Sequence, residues 1–209
     1  MNKKINLIIG SGVLGAYLSA NLLKKKEKVI VTTRLIRIKM QNYDYLKIQK
    51  KVKFEKLDVN KKTSIQKIIN KYRPDKIFYF AGQSSLTKSL KYQKETLQSH
   101  FNGTKNFLDV LKEKNLKIKF FKANSGYIFS PHKGRIDLNC KFSSSKNPYI
   151  KAQKKSFKLL KKYRQFGLNL SNLVFMQVES PLRSKDFFIK KVCLGAKNKD
   201  KIKVGNIST

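Results

Sequence analysis

Short apolar runs alternate along this chain with longer stretches whose apolar positions recur every three or four residues. Runs at 5–9, 29–33, 52–57, 77–80, 118–121 and 170–175 have the length and composition of strands buried on both faces. Between them, 13–25, 63–72, 94–114, 149–163 and 187–196 carry apolar positions at helical spacing. Asn60 and Thr63 stand where caps would start the second of these helices. A strand–helix alternation of this kind buries its strands in a parallel sheet with helices on both faces. The expected fold is therefore α/β and doubly wound. After residue 175 the pattern thins to a polar loop, one more helix and a short apolar run at 202–204. Residues 1–177 are expected to form one domain, and 178–209 the start of a further, cut-short region.

Composition changes this picture little. A chain of 209 residues buries the core of one ordinary domain. The net charge of +36, from 48 basic and 12 acidic residues, raises the question of a polyanionic partner. Only six of the basic residues are arginines, however, and Lys, Asn, Ile and Phe are abundant while Trp is absent. An AT-rich coding bias with a solvated lysine surface accounts for most of that. The chain also lacks the interleaved aromatic and basic platform of single-strand readers, so nucleic acid ranks last among partners. Cys140 and Cys193 have no metal-ligand spacing and give no disulfide framework, which points to free thiols. Lys3 and Lys4 ahead of an apolar 5–23 imitate a signal peptide, but glycines at strand–turn–helix spacing interrupt that run. No stretch is long and apolar enough for a membrane span, and a cytoplasmic location is expected.

Candidate chemistry gathers where the strands end. Gly10, Gly12 and Gly15 follow the first strand as Gly-x-Gly-x-x-Gly. The first permits a tight turn, the second lets main-chain N–H groups approach a pyrophosphate, and the third lets helix pack close on strand. The second strand ends Thr32-Thr33-Arg34 with no acid, so Arg34 is a candidate clamp for a 2′-phosphate and the cofactor expected is NADP. Asp58, followed by Val59, closes the third strand, where it could accept the adenine amino group or cap the next helix. Ala81-Gly82-Gln83-Ser84 ends the fourth with small residues suited to lie against a cofactor, and Ala81, Gln83 and Ser84 are assigned to its site. Ser125 ends the fifth strand and Tyr149 opens the next long helix. Tyrosine moves a hydroxyl proton only where positive charge lowers its pKa, normally from a lysine one helical turn on. That position holds uncharged Gln153, while Lys154 lies about 100° further round the helix.

Taken together these residues resemble the extended short-chain dehydrogenase/reductases, and among them the GDP-mannose 4,6-dehydratase family. Ala81-Gly82-Gln83-Ser84 looks like that family's Ala-Ala-Gln-Ser, residues 123–129 like its Ala-Ser-Thr-Ser-Glu-Leu-Tyr, and Asn147-Pro148-Tyr149 like its Ser-Pro-Tyr. Residues 177–183 are similar to Asn-His-Glu-Ser-Pro-Arg-Arg, and Val204-Gly205-Asn206 to Leu-Gly-Asn. The resemblance implies a lyase that passes a hydride from C4 of the sugar to NADP, loses water across C5 and C6, and returns the hydride to C6. It implies that Tyr149 is the base on the O4 proton and that Ser125 hydrogen-bonds that oxygen. Arg34 and Arg183 would contact cofactor phosphates, with Tyr149 also beside the cofactor. GDP-mannose or another nucleotide sugar is the implied substrate, and the resemblance leaves room for a homo-oligomer. Four positions depart from the family: Tyr127 stands for its glutamate, Gln153 for its lysine, Val178 for a histidine and His100 for an asparagine. A non-catalytic NADP-binding member is therefore the alternative. His100 is either a satisfied core histidine or a group near the nicotinamide, and exposed-loop His132 receives no role.

Overall fold

The computed structural model describes residues 3–34, 40–131, 135–137, 139–199 and 201–202. Six strands, β1 (Ile5–Ile9), β2 (Lys28–Thr33), β3 (Lys53–Lys56), β4 (Lys76–Tyr79), β5 (Lys119–Ser125) and β6 (Leu170–Phe175), form one sheet in the order β3-β2-β1-β4-β5-β6. Every neighbouring pair is parallel. The helices are α1 (Val13–Lys24), α2 (Gln41–Tyr45), α3 (Lys62–Tyr72), α4 (Leu86–Lys91), α5 (Gln93–Leu97), α6 (Gly103–Glu113), α7 (Pro148–Arg164) and α8 (Phe188–Asn198). The doubly wound α/β expectation holds. The backbone divides into two compact units, residues 1–176 and 177–209.

Parallel strands covered on both faces have no solvent side, so they read as continuous apolar runs. Leu7, Ile8 and Ile9 are accordingly all within 1% of complete burial. On one face Leu7, Ile9, Ile30, Ile77, Tyr79 and Phe120 meet Ile65 and Ile68 of α3, Phe107 and Leu108 of α6, and Leu160 of α7 in a single cluster. Each such side chain contributes about 1.5–3 kcal/mol relative to exposure. On the other face the Phe78 and Phe121 rings stack with centroids 4.8 Å apart.

The sheet order reverses between β1 and β4, and in open α/β sheets ligands bind in the crevice outside the carboxyl ends at that point. Residues carried just beyond those ends therefore face the binding edge. Asn60 and Thr63 do not cap α3: its N-cap is Lys61, with no side-chain bond. The helix expected over 94–114 is present from 93 to 113, but it is not α-helix throughout. Between α5 and α6, Gln98–Asn102 winds as a π-helix, a form that in short turns is frequent at functional sites. The apolar run at 202–204 and Gly205-Asn206 extend outside the described residues, as does His132. Among the described residues no helix is long and apolar enough to cross a membrane.

Candidate functional site

The glycine turn is built as its spacing requires. Gly10 has φ +108° at the end of β1, and a Cβ there would stand 2.9 Å from the Ala81 nitrogen at the end of β4. The turn thus lies against the next strand's carboxyl end, which only glycine permits. A Cβ on Gly15 would be 2.3 Å from the Gly10 oxygen, so α1 also needs glycine to pack this close. Among the described residues, its chain neighbours aside, nothing lies within 4 Å of the Cβ position of Gly12. Gly12 is the N-cap of α1, without a side-chain cap and without an acid in the first turn. The helix therefore offers uncapped N–H groups and the positive end of its dipole to that open space. Ser11, only 3% exposed, has an Oγ with no hydrogen-bond partner among the described residues. An orphaned hydroxyl, open space over Gly12 and an uncapped helix start together fit a pyrophosphate.

The other candidates extend this turn along the carboxyl edge. Arg34 is exposed just past β2. The Asp58 carboxylate accepts the Asn60 N–H at 3.0 Å, which turns the chain toward α3. Val59 is buried, and its carbonyl accepts from Asn106 Nδ2 at 3.0 Å. Beyond β4, Ala81 is half-buried and Ser84 exposed. Gln83 is committed internally: Nε2 donates to Thr96 Oγ1 at 3.2 Å and Oε1 accepts the Ser85 N–H at 2.7 Å. From Asp58 past β3 to Ser125 at the end of β5, these groups sit on five adjacent strands, a track of roughly 19 Å at normal strand spacing. Arg183 belongs to the second unit, where its guanidinium lies 3.5 Å from the centre of the Phe187 ring.

Ser125 and Tyr149 occupy the far end of the track. Asn147 fixes the start of α7 by accepting the Tyr149 N–H at 3.0 Å, with Pro148 following in the first turn. Asn147 also ties this start to α4, donating to Leu86 O at 3.2 Å and accepting from Ser89 Oγ at 3.0 Å. Tyr149 is buried, with its ring edge-on to that of His100 at 5.4 Å. Ser125 Oγ accepts the Tyr127 N–H at 3.3 Å, which leaves its own hydrogen available to a substrate oxygen. Tyr127 itself is 58% exposed.

Behind Tyr149 runs a buried polar chain that the sequence did not disclose. Asn124 Nδ2 donates to Gln153 Oε1 at 3.1 Å, Gln153 Nε2 faces His100 Nδ1 at 3.4 Å, and His100 Nε2 meets Gln83 O at 2.8 Å. A carbonyl only accepts, so the proton sits on Nε2 and Nδ1 accepts from Gln153. His100 is thus held neutral: burial, then the nearby charge of Lys122, push its pKa down to about 3. Gly82, at φ +127°, makes room for this ring, since a Cβ there would come within 2.2 Å of it. Lys154 turns away to Ser143 O at 2.6 Å and does not stand in for a lysine at 153. Lys122, 1% exposed on β5, was missed because the strand was expected to stop at 121. Phe120, Lys122 and Asn124 at alternate positions were the available signal. Among the described residues no cluster of His, Cys, Asp or Glu could hold a metal. Cys140 and Cys193 are free thiols.

Comparison with known proteins shows the family and the fold. A GDP-mannose 4,6-dehydratase from Sinorhizobium fredii is 24% identical over 209 residues, covering 93% of this chain and 58% of that protein. One from Drosophila melanogaster is 26% identical over 206 residues, covering 90% of the chain and 51% of its own length. The chain thus spans about half to three fifths of these relatives. In fold it matches a UDP-glucuronic acid 4-epimerase from Bacillus cereus in complex with UDP-glucuronic acid and NAD, with TM-score 0.82, 18% identity, and coverage of 95% and 64% of the two chains. A Bacillus anthracis dTDP-glucose 4,6-dehydratase in complex with NAD matches with TM-score 0.79 and 17% identity over 95% and 63%. The family model described as GDP-mannose 4,6 dehydratase matches residues 7–209, and the chain belongs to that family of nucleotide-sugar dehydratases and epimerases.

Proposed function

We propose that this chain binds NADP and carries the oxidoreductive chemistry of a nucleotide-sugar dehydratase acting on GDP-mannose. The observation that carries the reading is the single track along the carboxyl edge: Arg34, the glycine turn and the residues 81–84, ending at Ser125 and Tyr149. Its order suits an extended dinucleotide with its 2′-phosphate at one end and its reactive ring at the other. The family match supports the sugar nucleotide. Residues 1–177 are the cofactor-binding domain in this reading, residues 178–209 are assigned to substrate binding, and Arg183 is assigned to the cofactor's phosphates.

Bound cofactor would accept a hydride from C4 of the sugar and return it at C6. The chain's own part is proton handling. Tyr149 takes the O4 proton, and the free hydrogen of Ser125 bonds that oxygen as charge develops on it. Tyr127, where the family has a glutamate, carries no carboxylate to remove a C5 proton at neutral pH. That substitution and uncharged Gln153 favour a second reading, a member that binds NADP without completing dehydration.

A fluorescence titration with NADPH and NADH at about 150 mM salt, where loose polyanion binding is screened, tests the common part. Saturable NADPH binding with weaker NADH binding is expected, and binding of neither removes both readings. GDP-mannose turnover then selects the first, while cofactor binding without turnover selects the second.

A further inference from the structure

A cavity of about 480 Å³ lies on the flank of α7, a volume that takes a small molecule. Its lining on that helix begins at Phe157, about 12 Å along the axis from Tyr149, so it is separate from the carboxyl-edge track. The floor is aromatic. Phe129 and Phe142 stack with centroids 5.4 Å apart, and Phe157 stands edge-on to them at 5.5 and 5.8 Å. Phe129 is buried, whereas Phe142 and Phe157 are only partly so. The wall that carries Phe142 is tied in place. Ser130 N–H donates to Lys141 O and Ser143 N–H to Ile128 O, each at 2.8 Å, and Lys154 Nζ of α7 donates to Ser143 O at 2.6 Å.

The rim is cationic. Lys158, Lys161 and Lys162 stand at i, i+3 and i+4, one stripe of α7, where like charges repel. No ion pair among the described residues involves any of the three, and the described lining holds no Asp or Glu. Lys161 and Lys162 fall in the last turn, where the helix dipole favours cations. That account does not reach Lys158, whose ammonium lies 4.8 Å from the centre of the Phe142 ring, over the floor of the cavity.

Three uncompensated ammonium groups call for an anion of more than one charge, and the aromatic surface beside them for a flat apolar group. We propose that this cavity is a second ligand site, for a small molecule that joins a flat ring to a phosphate, the chemistry of a mononucleotide. The lysine rim meets the phosphate as point charges, and the ring lies against Phe142 and Phe157. The site asks nothing of the carboxyl edge, so it stands or falls apart from the nucleotide-sugar reading.

The test uses the full chain with AMP as the probe. Cys140 lines the cavity and exposed Cys193 does not, and both are free thiols. Their alkylation by iodoacetamide, read by peptide mass spectrometry, therefore compares the two positions in one sample. Saturating AMP is expected to slow alkylation of Cys140 about fivefold and leave Cys193 unchanged, while adenosine or inorganic phosphate at the same concentration does neither. Unprotected Cys140 overturns the proposal, and equal protection by inorganic phosphate reduces the site to an adventitious ion only. Protection that survives in Lys158→Gln/Lys162→Gln places the ligand elsewhere and overturns it too. The chain contains no tryptophan, so Phe142→Trp sets a single indole on the floor. AMP is expected to quench it at the midpoint seen for Cys140. Quenching by an oligonucleotide but not by AMP would assign the patch to nucleic acid and overturn the small-molecule site. The alkylation of the unsubstituted protein needs no variant to fold, and neither readout depends on NADPH binding.

Discussion

The two ends of the carboxyl-edge track are built on different logic. At the glycine turn the geometry is set by backbone: Gly10, Gly12 and Gly15 are each needed for a contact or an opening, and the spacing announces all three. At the Ser125 and Tyr149 end the geometry is set by side chains from β5, the π turn and α7. There Asn124, Gln153, His100 and Tyr149 hold one another across three elements. The difference teaches that a site made of main chain can be read from glycine spacing, whereas one made of a hydrogen-bond network depends on side chains that only the fold brings together.

Four substitutions would break or sharpen that contrast. The largest effect is expected at Lys122. A folded-state pKa near 7 against 10.5 unfolded means the unfolded chain binds more protons between those values. Stability should therefore rise with pH across that window, by an amount on the order of 5 kcal/mol, and the cost is complete below pH 7. His100, lowered from 6.5 to about 3, adds the same sign of slope between those values. Urea melts at pH 6 and pH 9 should show about 3 kcal/mol of this rise, and Lys122→Met should be more stable than the parent at pH 6 with a flatter profile. A parent whose stability falls over that interval would contradict the buried charge.

Next comes Gly15→Ala. Its Cβ meets main chain rather than a yielding side chain, so a loss of roughly 3 kcal/mol is expected, together with loss of NADPH binding. Normal stability in the variant would mean that the turn is looser than described. Arg34→Ala should weaken NADPH by about 1.5–3 kcal/mol while leaving NADH nearly untouched. Equal loss for both would remove Arg34 from the 2′-phosphate role. The smallest effect belongs to Asn147→Ala, about 1 kcal/mol for the lost cap. Its melt should shift slightly while NADPH binding is kept, which would separate the proton-transfer end from the cofactor end.

Much of this was legible in the sequence because apolar runs and glycines report backbone needs directly. The strand at 170–175 was read to its limits. β5 was cut short at 121 because Lys122 and Asn124, though buried, are polar, and a run of hydrophobicity cannot reveal a polar network that is satisfied from other elements. α2 and α4 are too short to show a period. The π turn inside the helix over 94–114 has no local signal either. It is tied in from outside, with the Tyr79 hydroxyl donating to the Ser99 carbonyl at 2.5 Å within the turn. Of the site, Ser125, Tyr149 and the glycines were visible as motifs, but the pairing of Gln153 with His100 needed the fold to bring two helices together.

The π turn at Gln98–Asn102 also fixes the unit in which this site can change. An i→i+5 turn holds one residue more than the α-helix around it, so its register is counted in single residues. Deleting one residue there would return the helix to an ordinary winding and re-space the side chains within the turn, while the helices on either side keep nearly the same facing. His100 would lose its alignment with Gly82 and Gln153 without any side chain being altered. For the buried end of the track, a one-codon insertion or deletion is thus a larger step than most substitutions.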